Sequence, residues 1–226
     1  DLKTMANCML KLVKSNGTII VEVQYLVNTL KDLTFDNIYH EHYNYWSLTS
    51  LNYFFKSISS KIYKVEKINT HGGSIRVYIS KNKKIKVHSS VKEILREEEK
   101  FGIKDFKTYK NFEKNILQIK KNVRNNLEKL LKLHKKIVGY GSPAKATTAL
   151  NFFGISNEIE CIIEDNKLKH GKFIPGVKIP IVSKKNLNTK PKCVLVLAWN
   201  FFNEIKTINK DLSDNFISIS ELKKLS

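Results

Sequence analysis

Apolar and polar positions change their rhythm several times along the 226 residues. Residues 2–14 carry apolar side chains at helical spacing, Ser15-Asn16-Gly17 makes a tight turn, and residues 18–24 (TIIVEVQ) read as a buried strand. One strand is marginal by itself, so it either borrows partners from later in the chain or belongs to a sheet begun upstream of Asp1. Residues 25–60 mix an extended or irregular polar-aromatic segment with a helix, LTSLNYFFKSI, whose N-cap is Thr49 or Ser50. Two strand-like runs follow, KIYKVEKI and GSIRVYIS, divided by Asn69-Thr70-His71-Gly72-Gly73 as a hairpin or crossover turn.

From Ser89 to Lys136 the period is helical. SSVKEILREEEKFG stops at Gly102, and a long amphipathic helix then places Phe112, Ile116, Ile119, Val123, Leu127, Leu130 and Leu131 on one stripe. That stripe reads as core, with a solvated lysine face opposite. The last ninety residues alternate short apolar runs with helical stretches: KKIVGYG, a helix ending at Gly154, EIECIIED, VKIPIV, CVLVLAW, a helix over NEIKTINKD, and NFISIS. Such alternation implies a parallel sheet. The fold class expected is α/β, a long helical connector followed by a small Rossmann-like parallel-sheet domain, with boundaries at residues 1–30, 31–88, 89–135 and 136–226.

An apolar content of 42% is ordinary for a globular core. No apolar run approaches eighteen residues and no signal-peptide pattern opens the chain, so a cytoplasmic location with no membrane partner is expected. Cys8, Cys161 and Cys193 are far apart and lack C-x-x-C spacing, which argues for buried thiols rather than disulfides or a zinc knuckle. The formal charge of +19 raises the question of polyanions. Only Arg76, Arg96 and Arg124 are arginine among 40 basic residues, and the lysines are spread over every segment. Base-edge and bidentate phosphate reading favour arginine, so specific nucleic-acid binding is disfavoured, and a lysine-rich polyanion-binding module stands as the alternative function. The same field attracts a diphosphate ligand. An oligomer is compatible with the sequence.

Within the last ninety residues, Gly139-Tyr140-Gly141-Ser142-Pro143-Ala144 forms a Gly-x-Gly-x-x-Ala turn between strand and helix. Gly139 is expected to permit the tight turn, Gly141 to let a ligand near the backbone, and Ala144 to let helix and strand pack closely. Pro143 suits the first helical position, and the helix N-terminus would face a diphosphate with Lys145 adding charge. Asp165 follows the next strand, twenty-six residues after Gly139. The loop after it, EDNKLKHGKFIPGVKIPI with Lys172, is of the kind found at a sheet's carboxyl edge, where ligands bind; an ordinary crossover loop is the other reading.

The stretch FDNIYHEHYNYWSL, residues 35–48, concentrates titratable groups. His40 and His42 would supply a metal with only two ligands, and the helical H-E-x-x-H spacing is absent. A polar-aromatic surface loop remains open. As an acid–base cluster the stretch makes chemical sense: an imidazole suits proton abstraction near neutral pH, a carboxylate orients it, and a tyrosine hydroxyl donates to a developing oxyanion.

That stretch, together with HGGSIRVYIS (71–80), GYGSPAKATTALNFFGI (139–155), HGKFIPGVKIPI and LAWNF, resembles in order the signatures of S-adenosylmethionine-dependent sugar C-methyltransferases. These methylate a carbon beside the ketone of a nucleotide-linked keto-deoxysugar, and the resemblance covers nearly the whole chain. It implies that His42 is the general base, with Tyr39 and Glu41 positioning it and steadying the enolate. It further implies substrate contacts from His71, Gly72, Gly73, Ser74 and Arg76, from Gly139, Gly141, Ser142, Pro143 and Lys145, and from Asp165, Lys172 and Asn200. A plain turn at Gly72-Gly73 and a surface ion pair at Arg76 are the alternatives. The carboxyl-terminal domain would anchor the nucleotide-diphosphate sugar. Residues 1–24 resemble only the last helix and strand of the family's methyltransferase Rossmann domain, an amino-terminal remnant. The family's cysteine-rich zinc module and its S-adenosylmethionine loop have no counterpart here, so no metal is expected in this segment and the chain is not expected to catalyse alone.

Overall fold

The computed structural model describes residues 1–70, 72–134 and 136–223. It divides into two compact units, one of residues 1–35 and 42–113, the other of residues 36–41 and 114–226.

The first unit opens with helix α1 (Leu2–Leu12), strand β1 (Ile19–Gln24) and helix α2 (Leu26–Lys31), followed by α3 (Leu48–Ser57), β2 (Lys61–Ile68), β3 (Ser74–Ser80), α4 (Ser89–Phe101) and the start of α5 (Phe106–His134). The lone amino-terminal strand finds its partner within the chain: β1 pairs antiparallel with β3, which also pairs with β2, giving the order β1-β3-β2. β3 is central because Ile75, Val77 and Ile79 alternate on one face and are fully buried, opposite Val21 and Val65 in register with Val77. The turn between β2 and β3 is a hairpin. α3 and α4 cover the sheet through Leu48, Leu51, Phe55, Val91 and Ile94. α4 ends on Gly102, whose φ of 77° is the left-handed C-cap its position implied.

α3 starts earlier than Thr49 or Ser50. Ser47 is the N-cap and Ser50 reciprocates as the N3 member of a capping box. The fully buried Glu98 of α4 also serves this helix start, accepting from Leu48 N at 2.6 Å, Thr49 N at 2.8 Å and Thr49 Oγ1 at 2.6 Å. Of the cysteines, Cys161 and Cys193 are buried, whereas Cys8 is exposed because α1 turns only Ala6 fully inward.

The second unit holds a five-stranded parallel sheet. Its elements are β4 (Ile137–Tyr140), α6 (Ala144–Phe153), β5 (Ile159–Ile163), β6 (Ile181–Val182), β7 (Val194–Val196), α7 (Phe202–Ile208), β8 (Phe216–Ser218) and α8 (Ile219–Leu222). The order is β6-β5-β4-β7-β8, every pairing parallel. Strands buried on both faces read as continuous apolar runs, which is why IVGY and VLV carry no alternation. The chain leaves the central β4 in one direction to β5 and β6, then crosses to β7 on the other side. A crevice opens outside the carboxyl ends of β4 and β7 at such a switch point. α5 contributes Val123 and Leu127 from its expected stripe to buried positions, and its buried Asn126 donates from Nδ2 to Leu222 O at 3.0 Å. No helix among the described residues is long and apolar enough to cross a membrane.

Candidate functional site

The turn from β4 into α6 is set by packing. Gly139 lies within the strand, where a Cβ would come within 2.8 Å of Ile162 Cγ1. Gly141 makes the turn itself: its φ is 84°, and a Cβ there would stand 2.8 Å from Ala198 Cβ. Gly141 N donates to Ile163 O at 2.8 Å. Pro143 is the N-cap of α6 rather than its first helical residue, and Lys145 is half-buried in the first turn.

An internal carboxylate meets the next amide. Ser142 N donates to Glu164 Oε2 at 2.9 Å and Ser142 Oγ donates to the same oxygen. Asn166 N donates to Oε1 at 3.0 Å, and Lys169 Nζ lies 3.5 Å from Oε2 while donating to Ser142 O at 2.9 Å. Burial alone would raise the Glu164 carboxyl, but the hydrogen bonds from Ser142 and Asn166 and the Lys169 charge hold it down to about 2.

Beside this turn is a cavity of about 530 Å³, lined by Gly141, Ser142, Pro143, Asp165 and residues of α7. On its wall Tyr140 Oη donates to Asp165, 3.0 and 2.9 Å from the two carboxylate oxygens, and Asn209 Nδ2 donates to Tyr140 Oη at 3.1 Å. Burial and then the Asp165 carboxylate push the Tyr140 phenol up to about 12, so it remains a donor. Glu164, Asp165 and Glu204 make the wall acidic; Phe201, Ile205 and Ile208 give it apolar area.

A smaller cavity of about 210 Å³ shares Pro143, Ala198 and Phe201 with the first and adds Tyr39, Ala144, Lys145, Leu197, Trp199 and Asn200. Tyr39 reaches it because residues 36–41 fold into the second unit. Phe35–Asn37 form one 3₁₀ turn, Tyr39 N donates to Asn37 O at 3.2 Å, and the chain then bends through His40 and Glu41. The Tyr39 ring meets the His40 ring edge-on at 6.1 Å. Burial, then the Glu41 charge, raise the Tyr39 phenol above its usual range, keeping it protonated as a hydrogen-bond donor at neutral pH.

The structure thus brings together, in one unit and around two adjoining cavities, Tyr39, Gly141, Ser142, Pro143, Lys145, Asp165 and Asn200. Glu41 is exposed in the same unit, and His42, half-buried, is the first residue after it and belongs to the first unit. Lys172 is exposed and stands outside both cavity walls. Gly72, Gly73, Ser74 and Arg76 belong to the first unit. There Gly72 and Gly73, with φ of 82° and 105°, make the β2–β3 turn, and a Cβ on Gly73 would collide with the Asn28 side chain. Ser74 is buried and donates to Thr70 O at 3.3 Å, and Arg76 donates from Nε and Nη2 to Glu22 Oε2 at 3.1 and 2.8 Å. His71 lies outside the described residues. Among the described residues no three His, Cys, Asp or Glu side chains gather as a metal site.

Sequence reasoning passed over Glu164, Tyr140, Asn209, Lys169 and Trp199. Glu164 and Tyr140 adjoin Asp165 and Gly141 in the chain, so the strand-end positions carried a signal; Asn209 meets Tyr140, and Trp199 the smaller cavity, only through the fold of the segment after β7.

A profile of the C-methyltransferase C-terminal domain matches residues 69–217. The chain is 34% identical over 218 residues to "C-methyltransferase NovU" of Streptomyces niveus, an alignment covering 95% of this chain and 52% of that protein. The chain spans about half the length of the curated relative it matches.

Proposed function

The chain belongs to the C-methyltransferase C-terminal domain family, and from that premise we propose that it is the substrate-binding and base-bearing part of a C-methyltransferase acting on a nucleotide-linked keto-deoxysugar. The observation that carries the reading is the placement of Tyr39: the segment leading into Glu41 and His42 folds into the parallel-sheet unit, and its tyrosine lines a cavity with Lys145, Trp199 and Asn200 at the carboxyl edge of that sheet.

His42 is assigned as the base that takes the proton from the carbon beside the ketone. Near neutral pH an imidazole is matched to that step, and the carbanion must be delocalised onto the ketone oxygen as it forms. Tyr39, held protonated, is the donor to that oxygen, and Glu41 orients the imidazole and stabilises its charged form. The adjoining cavity beside Asp165 and Tyr140 holds the nucleotide part.

S-adenosylmethionine, which the family implies for the full-length enzyme, is not matched by the residues described. In the one Gly-x-Gly turn of the parallel sheet, Ala198 fills the space beside Gly141 and Glu164 takes the Ser142 amide.

The test is thermal unfolding of this chain with dTDP, UDP, CDP or GDP, and separately with S-adenosylmethionine. At least one nucleoside diphosphate raises Tm in a saturable way and S-adenosylmethionine leaves it unchanged. Stabilisation by S-adenosylmethionine, or by DNA and heparin with no response to any nucleoside diphosphate, overturns the reading.

A further inference from the structure

We infer that Lys184, Asn209 and Tyr140 form a one-way hydrogen-bond relay that holds Asp165 as the acceptor for a hydroxyl of the ligand's nucleoside sugar. The inference rests on the nucleotide-sugar reading and deepens it, naming the group the larger cavity recognises and the positioning residues behind that recognition.

The relay draws on four separate parts of the parallel-sheet unit. Lys184 opens the 3₁₀ turn Lys184–Asn186 after β6, Asn209 is the C-cap of α7, Tyr140 ends β4 and Asp165 follows β5. Lys184 Nζ donates to Asn209 Oδ1 at 3.3 Å, and Asp211 Oδ1 accepts from the same ammonium at 2.9 Å. Asn209 Nδ2 donates to Ile205 O at 3.0 Å and to Tyr140 Oη at 3.1 Å. Tyr140 Oη donates onward to the Asp165 carboxylate, 3.0 and 2.9 Å from its two oxygens. Tyr140, Asp165 and Asn209 all line the cavity of about 530 Å³. No local sequence pattern pairs these four residues.

The chemistry of the two ends fixes the direction. An ammonium has only protons to give and a carboxylate only lone pairs. With Asn209 Oδ1 accepting from Lys184, the amide turns Nδ2 toward Tyr140, and the phenol that accepts there has its single proton left for Asp165. Asn209 and Tyr140 are buried, where an unmade hydrogen bond is costly, so the order is locked from inside while Asp165 at its end is exposed. One phenol proton fills only part of a carboxylate's acceptor capacity, which leaves Asp165 able to take a donor from the cavity it lines. A phosphate brings no donor at neutral pH and meets the like charges of Asp165 and Glu204 there, whereas a sugar hydroxyl brings a proton and makes a charge-assisted bond. Phe201, Ile205 and Ile208 add apolar surface for a flat base in the same cavity.

The experiment is calorimetric titration of this chain with dTDP, UDP, CDP and GDP and with their dideoxy counterparts, which carry no hydroxyl on the sugar ring, read as the ratio of the two affinities for the base that binds best. Wild type binds the dideoxy ligand about tenfold or more weaker, the loss of one hydrogen bond to a charged acceptor. Asp165→Ala, at an exposed position, brings the ratio to within about twofold. Tyr140→Phe keeps the ring, and Asn209→Asp keeps an acceptor for Lys184 but gives Tyr140 a second carboxylate to donate to. Both lower the ratio to within about threefold while the dideoxy affinity stays within about twofold of wild type. A Tyr140→Phe or Asn209→Asp chain that weakens both ligands equally has lost only packing, and that outcome overturns the inference, as does an unchanged ratio in either variant. If wild type binds a nucleoside diphosphate without discriminating against its dideoxy counterpart, the inference falls and the nucleotide-sugar reading stands; if it binds none, the reading falls and takes the inference with it.

Discussion

Glu164 has 13% of its side chain exposed, and burial of that degree would by itself move a carboxyl upward. Three hydrogen bonds and the Lys169 charge reverse this, leaving it at about 2 against an ordinary 4.5. A carboxyl depressed on folding adds stability above its unfolded value, and that stability is lost as pH falls through the interval down to the folded one. The window for Glu164 is therefore about pH 4.5 to 2. The shift corresponds to roughly 3 kcal/mol at neutral pH, at about 1.4 kcal/mol per unit. Glu164→Gln should lower unfolding free energy at pH 7 by about 1–3 kcal/mol. Denaturant unfolding at pH 7 and pH 3.5 checks the origin: the deficit of the variant shrinks at the lower pH, and an equal deficit at both would assign the effect to packing. Of this network the sequence singled out Ser142, through the resemblance, and the chain neighbours Gly141 and Asp165 beside it. Glu164 itself escaped because its partner is an amide, which no side-chain pattern announces.

At the level of elements, most strand and helix positions followed from periodicity, but the short helices α2 and α8 did not. β2 is the run KIYKVEKI, α4 stops at Gly102, and the five apolar runs after residue 136 became the five parallel strands. Two further features could not be read that way. The pairing of β1 with β3 needed tertiary context, since a buried strand looks the same whether its neighbour is upstream or downstream. The start of α3 at Ser47 was displaced because Thr49 and Ser50 are equally good caps by residue type, while the side chain that decides the matter, Glu98, lies fifty residues away. Glu98→Ala should cost about 3–5 kcal/mol, because it strips the Leu48 and Thr49 amides of their acceptor in a buried setting. Glu98→Gln retains one acceptor oxygen and should cost less. Urea unfolding of both variants, with helicity followed by circular dichroism, checks the ordering; a Gln variant as weak as Ala would mean the charge rather than the acceptor holds the helix start.

For the whole molecule, the formal charge of +19 is the property most easily mistaken for function. Lysines dominate the basic residues and many are already engaged: Lys64 with Glu66, Lys67 with Glu97, Lys110 with Glu113, Lys184 with Asp211. Exposed pairs of this type contribute little to stability but do dilute any continuous basic stripe. The proposed ligand carries its charge on a single diphosphate, whereas a polyanion would be met by many lysines. The two cases separate in salt. Exposed charges are screened beyond about 8–10 Å at physiological ionic strength, so the general field fades as salt rises while contacts inside a cavity persist. A protein neutralising 6–10 phosphates of a polymer loses about 10³–10⁵ in affinity between 50 and 200 mM salt. Nucleoside diphosphate binding at the cavity of Lys145 should fall by only about tenfold over that range, since a diphosphate offers about two phosphates rather than eight. Calorimetric titration with dTDP or the best of its analogues at 50, 100 and 200 mM salt measures the slope. A loss of a hundredfold or more would place the affinity in the diffuse field of the lysines rather than in the crevice of the parallel sheet.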